Sequence, residues 1–262
     1  MTDQALTEAD PLIARVFATW CARRASAGRV VSLIDLYVLV AAERGVEPHQ
    51  LDTGERALLA RLAFGVIWPG FETIPGSERG FEPVVIVAYD PGWPERFERW
   101  RARIAGVLGR SALAIEHVGS TSVPGLAAKP IVDIQVSVAA LENESAYVPA
   151  LAEVGLQLRS RDELHRHLRP FAGFPRDVHV HVCAQGETWE REHLLLRDYL
   201  RTHPHAVLAY GAAKQELAVR WREDSVAYSE AKSDVILDTL RAAEDWAAST
   251  GWAVGGEARR LT

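Results

Sequence analysis

Lysine is scarce in this sequence. Lys and Arg together number 29, yet lysine stands only at Lys129, Lys214 and Lys232. A genome-wide preference for arginine explains the arginines, but not why three lysines remain. Lysine is a compact point charge on a flexible stem and meets phosphate differently from the planar guanidinium fork. The three are therefore candidates for anion contacts. Cysteine is rarer still. Cys21 and Cys183 are far apart and show no metal-ligand spacing, which fits two buried thiols in a cytoplasmic protein. No apolar run approaches the ~20 residues that cross a bilayer, so no membrane partner is expected. The opening MTDQALTEAD is acidic and polar, unlike a secretory signal. No G-x-x-x-x-G-K-[ST] loop occurs, which excludes a P-loop NTPase. A net charge of -6 argues against a general nucleic-acid coat.

What is present is ordinary globular composition, with 48% hydrophobic and 24% charged residues over 262 positions, enough for one large or two smaller cores. Residues 1–72 carry helical periodicity. Asp10-Pro11 opens one helix, Ser32 caps LIDLYVLVAAER with Gly45 at its end, and Asp52 with Glu55 offers a capping box for a third. Residues 73–83 fall in a Pro-, Gly- and Ser-rich linker. From 84 to 250 the pattern predicts an α+β domain with a small mixed sheet backed by helices. Strands are expected at VVIVAY (84–89), ALAIEHV (112–118), PIVDIQVSV (130–138), GLQLRS (155–160) and VHVHVC (178–183), with helices dominating after Glu187. Residues 251–262 read as a frayed tail.

The chemistry concentrates in EHVGSTSVPGLAAKPIVDIQV, residues 116–136. Gly119, Ser120, Thr121 and Ser122 follow a strand. Small residues let backbone N–H groups approach an anion, and hydroxyls add donors. Asp133 lies in an apolar strand, where a carboxylate is costly unless paired or metal-bound. Period two puts Gln135 on the face of Asp133. A two-metal transferase would carry a second acid there, and glutamine offers only a neutral oxygen. His179 and His181 share one face of their strand ~6.5 Å apart, close enough to reach one metal. With Asp133 they would form a two-His, one-carboxylate site. Of Glu116 and His117, which point oppositely, at most one joins that site. Arg197 and Arg201 share a helix face, with Asp198 and Tyr199 turned away. Arg197, Lys129, Lys214 and Lys232 would neutralise phosphate. His165 and His167, in RDELHRHLRP, read as loop residues without a role.

The ordered set YDPGWPERF, IEHVGSTSVPGLAAKPIVDI, VHVHV, HLLLRDYLRTHP and AYSEAK resembles the GrpB family over residues 84–245. That resemblance implies a nucleotidyltransferase-like fold, with a pocket built from the Gly-Ser turn, the aspartate strand and the H-x-H strand. Ala231 stands where the family's Y-x-x-G-K has glycine, before Lys232. A similar domain occurs behind dephospho-CoA kinase in some bacteria, but residues 1–80 lie outside the resemblance and lack that enzyme's phosphate loop. Three functions follow as expectations. The first is binding of a nucleotide or other phosphorylated small molecule, with Mg²⁺-dependent nucleotidyl transfer. The second is a catalytically degenerate module for a CoA-like ligand. The third is a metalloenzyme on Asp133, His179 and His181.

Overall fold

A computed structural model describes residues 10–26, 32–67, 70–77 and 82–255. The acidic opening segment and most of the tail lie outside them. The chain forms two compact units. The first comprises residues 1–71, 82–84 and 217–233, and the second comprises 72–81, 85–216 and 234–262.

The first unit is helical. Its elements are α1 (Pro11–Ser26), α2 (Leu33–Arg44) and α3 (Thr53–Ile67), with the later α8 (Ser225–Ala231). Ser32 and Asp35 close a reciprocal capping box at the start of α2, and Gly45 ends it in the left-handed conformation, at φ 67°. Asp52 accepts from the N–H groups of Gly54 and Glu55 at the start of α3, at 2.8 and 3.3 Å. The core holds Trp20, Leu33, Leu36, Tyr37, Leu59 and Leu62, all wholly buried. Asp224 caps α8 and pairs with the buried Arg56 at 3.0 Å.

The second unit is built on a sheet of order β1-β4-β5-β6-β3-β2. The strands are β1 (Glu72–Thr73), β2 (Ala114–Val118), β3 (Val132–Val138), β4 (Leu156–Arg161), β5 (His165–Pro170) and β6 (Val178–Ala184). Among the described strands only the β6–β3 pair is parallel. The helices of this unit are α4 (Trp93–Leu108), α5 (Val148–Glu153), α6 (Thr188–Thr202), α7 (Pro204–Arg220) and α9 (Ser233–Thr250). From Leu217 the last turn of α7 groups with the first unit, as does Ser233 at the head of α9.

Alternation gives the sheet two different faces. Ile134, Val136, Val180, Val182 and Leu168 form an apolar face with Trp93, Phe97, Trp100, Ile104 and Leu108 of α4 and Leu151 of α5. Each fully buried aliphatic side chain contributes about 1.5–3 kcal/mol. The opposite face presents Asp133, Gln135 and Ser137 of β3, paired in register with His179, His181 and Cys183 of β6. α6 covers part of it: Glu190 accepts from Ser137 Oγ, and Arg197 pairs with Glu116 at 2.8 Å.

Two expectations need correction. VVIVAY is not a strand. The Val84 N–H goes to Arg222 O, whereas Val87 bridges Ala128, so the run never lines up along one neighbour. RDELHRHLRP is not a loop, because His165–Pro170 is β5, paired on both sides.

Candidate functional site

The site grows from the register of three strands. Asp133 lies opposite His179, Gln135 opposite His181, and His181 opposite His167 on the next strand. One carboxylate and three imidazoles thus share a patch of the polar face. Asp133 Oδ1 stands 3.3 Å from His179 Nδ1 and 3.7 Å from His181 Nε2. One nitrogen each of His167, His179 and His181 lies within 4.8 Å of the others. The His167 ring stacks on His181 at 4.9 Å and meets His179 edge-on at 5.1 Å.

The protonation states suit ligation. Burial pushes His179 down to about 4, against the pull of Asp133. Burial also lowers His181, and it takes His167 well below the usual range with help from neighbouring imidazoles and Arg169. Burial alone would raise Asp133, but contact with His179 and His181 holds it below the ordinary carboxylate range. Neutral imidazoles around an ionised carboxylate are what a metal requires of its ligands.

Polar atoms around the patch are left over. Gln135 is wholly buried, and neither its amide nitrogen nor its oxygen has a hydrogen-bond partner among the described residues. His181 Nδ1 is orphaned in the same way. A buried unpaired polar atom costs about 1–3 kcal/mol. Two arginines reach the imidazoles: Arg176 Nε donates to His179 Nε2 at 3.2 Å, and Arg169 Nε to His167 Nε2 at 3.4 Å. On the far side Trp189 stacks on His193 at 3.6 Å, on His165 at 5.2 Å and on His181 at 5.4 Å. Asp162 holds His165 Nδ1 at 2.7 Å.

The Gly-Ser turn meets this patch through Asp133. Gly119 adopts φ 68°, and a Cβ there would lie 2.5 Å from Asp133 Oδ2. Glycine is needed both for the left-handed backbone and for the carboxylate's close approach. Burial pushes the Tyr210 phenol up to about 12, against the opposing pull of Ser120. The other two hydroxyls are turned inward: Thr121 Oγ1 meets His117 Nε2 at 3.0 Å, and Ser122 Oγ donates to Gly119 O at 2.6 Å.

The cations grip the turn by its carbonyls. Arg197 donates to His117 O at 3.1 Å, Arg201 to Ser122 O at 2.9 Å, and Lys214, 2% exposed, to Ala127 O. Arg197 also pairs with Glu116 and with Asp198, which therefore does not turn away from it. Lys129 is half-buried at the end of the loop. Lys232 belongs to the first unit, with its ammonium 4.7 Å from the Tyr228 ring centroid. Glu116 lies on the polar face, and His117 on the apolar one, stacked on Phe97 at 4.8 Å.

Sequence reasoning missed His165, His167, Arg169 and Arg176. The signal for β5 was alternation of a kind hydropathy does not register: His165, His167 and Arg169 on one face, Arg166, Leu168 and Pro170 on the other.

An α+β sheet with helices and one acid amid histidines defines a class before it defines a protein. Residues 83–242 match the family model described as GrpB protein. The chain belongs to the GrpB family. It is 40% identical over 161 residues to "UPF0157 protein BH1888" of Halalkalibacterium halodurans, covering 61% of this chain and 82% of that one. It is 47% identical over 149 residues to "UPF0157 protein SCO7215" of Streptomyces coelicolor, covering 57% and 78%. A protein of Mycolicibacterium paratuberculosis named dephospho-CoA kinase is 32% identical over 196 residues, 65% of this chain and 48% of its own. The crystal structure of conserved protein GrpB from Enterococcus faecalis superposes with a TM-score of 0.55 at 31% identity, covering 62% of this chain and 99% of that one. No helix among the described residues is long and apolar enough to cross a membrane.

Proposed function

We propose that the polar sheet face binds one divalent transition-metal ion on Asp133, His179 and His181, with His167 as a further ligand, and offers it to a small phosphorylated molecule. The observation that carries this reading is the convergence of three imidazoles on one carboxylate. First ligands around a tetrahedral ion, at bond lengths near 2.0–2.1 Å, stand about 3.3 Å from one another. The 3.3 and 3.7 Å separations from Asp133 Oδ1 fall close to that value. Imidazole suits zinc, iron, nickel or copper, whereas Mg²⁺ prefers carboxylate and water oxygens. With Gln135 where a second acid would stand, the donor set supports this reading over two-Mg²⁺ nucleotidyl transfer. A bound ion would supply Lewis-acid polarisation of a phosphoryl oxygen. Gly119 lets Asp133 approach the turn, and the carbonyl grips of Arg197, Arg201 and Lys214 hold that turn still. The relative named dephospho-CoA kinase makes phosphorylated CoA precursors worth including among trial ligands.

The test is metal analysis of the purified chain after chelation and reloading, with a thermal-shift panel of metals, nucleotides and CoA precursors. The expected result is about one tightly held ion per chain, with a borderline metal preferred to Mg²⁺. Asp133→Ala and His181→Ala should each lose the ion. Full metal retention in both variants would sink the reading.

A further inference from the structure

We infer that Gln135 is a specificity-determining residue of this site, and that its amide recognises a planar ligand edge carrying a hydrogen-bond donor beside an acceptor, as a nucleobase does. This rests on the reading above that the patch binds a small phosphorylated molecule, and it names the organic part of that molecule.

β3 presents three polar side chains on this face, and the outer two are engaged. Asp133 meets His179 and His181, and Ser137 Oγ donates to Glu190. Gln135 stands between them, wholly buried, with neither amide atom hydrogen-bonded among the described residues. Its cross-strand neighbours are Glu116 on β2 and His181 on β6. Arg197 holds Glu116 at 2.8 Å. His181 Nδ1 is buried and unpaired as well. One atom or the other of the amide could pair with that nitrogen whichever tautomer the ring adopts, yet the two groups do not pair. Three buried polar atoms on adjacent strands thus go without a partner together, where native interiors leave few. An apolar side chain of the same shape would avoid that cost. A glutamine kept at this position is explained by a group that arrives from outside, at the expense of stability.

The surroundings are open enough for such a group. The side chains of Asp133, Glu116 and His181 remain 30%, 24% and 20% exposed. A ligand lying over them is one side-chain rotation from the amide. What the amide can read follows from its shape. It sets a donor and an acceptor side by side, so its complement must do the same. Nucleobase edges have this arrangement, and glutamine bidentate to adenine is one such pair. A trans secondary amide does not, because its N–H and C=O point to opposite sides. Trp189, with its ring centroid 5.4 Å from that of His181, adds an aromatic neighbour suited to a flat ring.

The experiment uses the full, metal-loaded chain. Ribose 5-phosphate and the 5′-monophosphates of adenosine, guanosine, cytidine and uridine are titrated into it by calorimetry. At least one nucleotide should bind at least ~10-fold more tightly than ribose 5-phosphate. Gln135→Met keeps an unbranched side chain of similar length but cannot make the paired contact. It should lose at least ~10-fold in affinity for that nucleotide, and with it the preference over ribose 5-phosphate. Without ligand the variant should melt no lower than the wild type, because no hydrogen bond is lost. A nucleotide preference that Gln135→Met retains would overturn the inference. The wild-type comparison needs no variant to fold. A wild type that binds ribose 5-phosphate but prefers no nucleotide overturns this inference alone. A wild type that binds neither overturns the phosphorylated-ligand reading, and this inference with it.

Discussion

Gly119 is the residue on which the position of Asp133 depends. An added Cβ would come within 2.5 Å of Asp133 Oδ2 and 3.0 Å of its Cβ, and the backbone stands at φ 68°. The carboxylate cannot swing away without leaving His179 and His181. Gly119→Ala therefore combines left-handed strain, about 1–2 kcal/mol, with displacement of Asp133, the carboxylate of the proposed metal site. The expected outcome is a lower melting temperature together with at least ~10-fold weaker metal binding. Gly125 serves as the control, because it is also at positive φ but has no atom within 4 Å of where a Cβ would stand. Gly125→Ala should lose stability alone. Equal metal affinity in the two variants would show that the close approach to Asp133 does not matter.

At the scale of elements, α6 joins the sheet through Glu190. This carboxylate is 2% exposed, accepts from Ser137 Oγ, and accepts from Gly186 N at 2.7 Å. It sits in the first turn of its helix, where negative charge is favourable. Glu190→Ala would leave both donors without their acceptor, at a cost of about 2–4 kcal/mol. Trp189 rides on the same turn, stacked between His181 and His193, so metal affinity should fall as well. Urea unfolding and metal titration check the two effects, with Glu190→Gln expected to lose less of each. How much of this was legible differed by strand. β3 and β6 were readable because valine and isoleucine alternate with polar residues, so Asp133 shared a face with Gln135, and His179 with His181, from the sequence alone; the register then joined the two pairs. β5 was opaque because arginine occupies both of its faces and histidine fills most of one. Arg166 there is buried by pairing with Glu144 at 2.5 Å, not by being apolar. The gripping roles of Arg197, Arg201 and Lys214 were equally hidden, since a helix cation's acceptor is set by tertiary packing rather than spacing.

At the scale of the whole molecule, the two units carry opposite responses to pH. In the sheet unit, burial beneath Phe97 pushes His117 down to about 4. Its folded value lies below its unfolded one of about 6.5, so the unfolded chain binds the extra proton first. The stability it contributes is complete above pH 6.5 and is lost as pH falls toward 4, up to about 3 kcal/mol. In the helical unit, burial raises Glu230 to about 7. Here the folded state holds the proton more tightly than the unfolded state, so stability falls as pH rises from about 4.5 through 7. Two substitutions separate these contributions in metal-free protein. His117→Phe keeps the ring stack and cannot titrate, so its acid limb between pH 6.5 and 4 should be shallower than that of the wild type. Glu230→Gln should raise the melting temperature at pH 8 and change little at pH 4.5. Calorimetry across that range reads both effects. A steeper acid limb in His117→Phe, or stabilisation by Glu230→Gln that is equal at both pH values, would mean that burial does not set these two protonation equilibria.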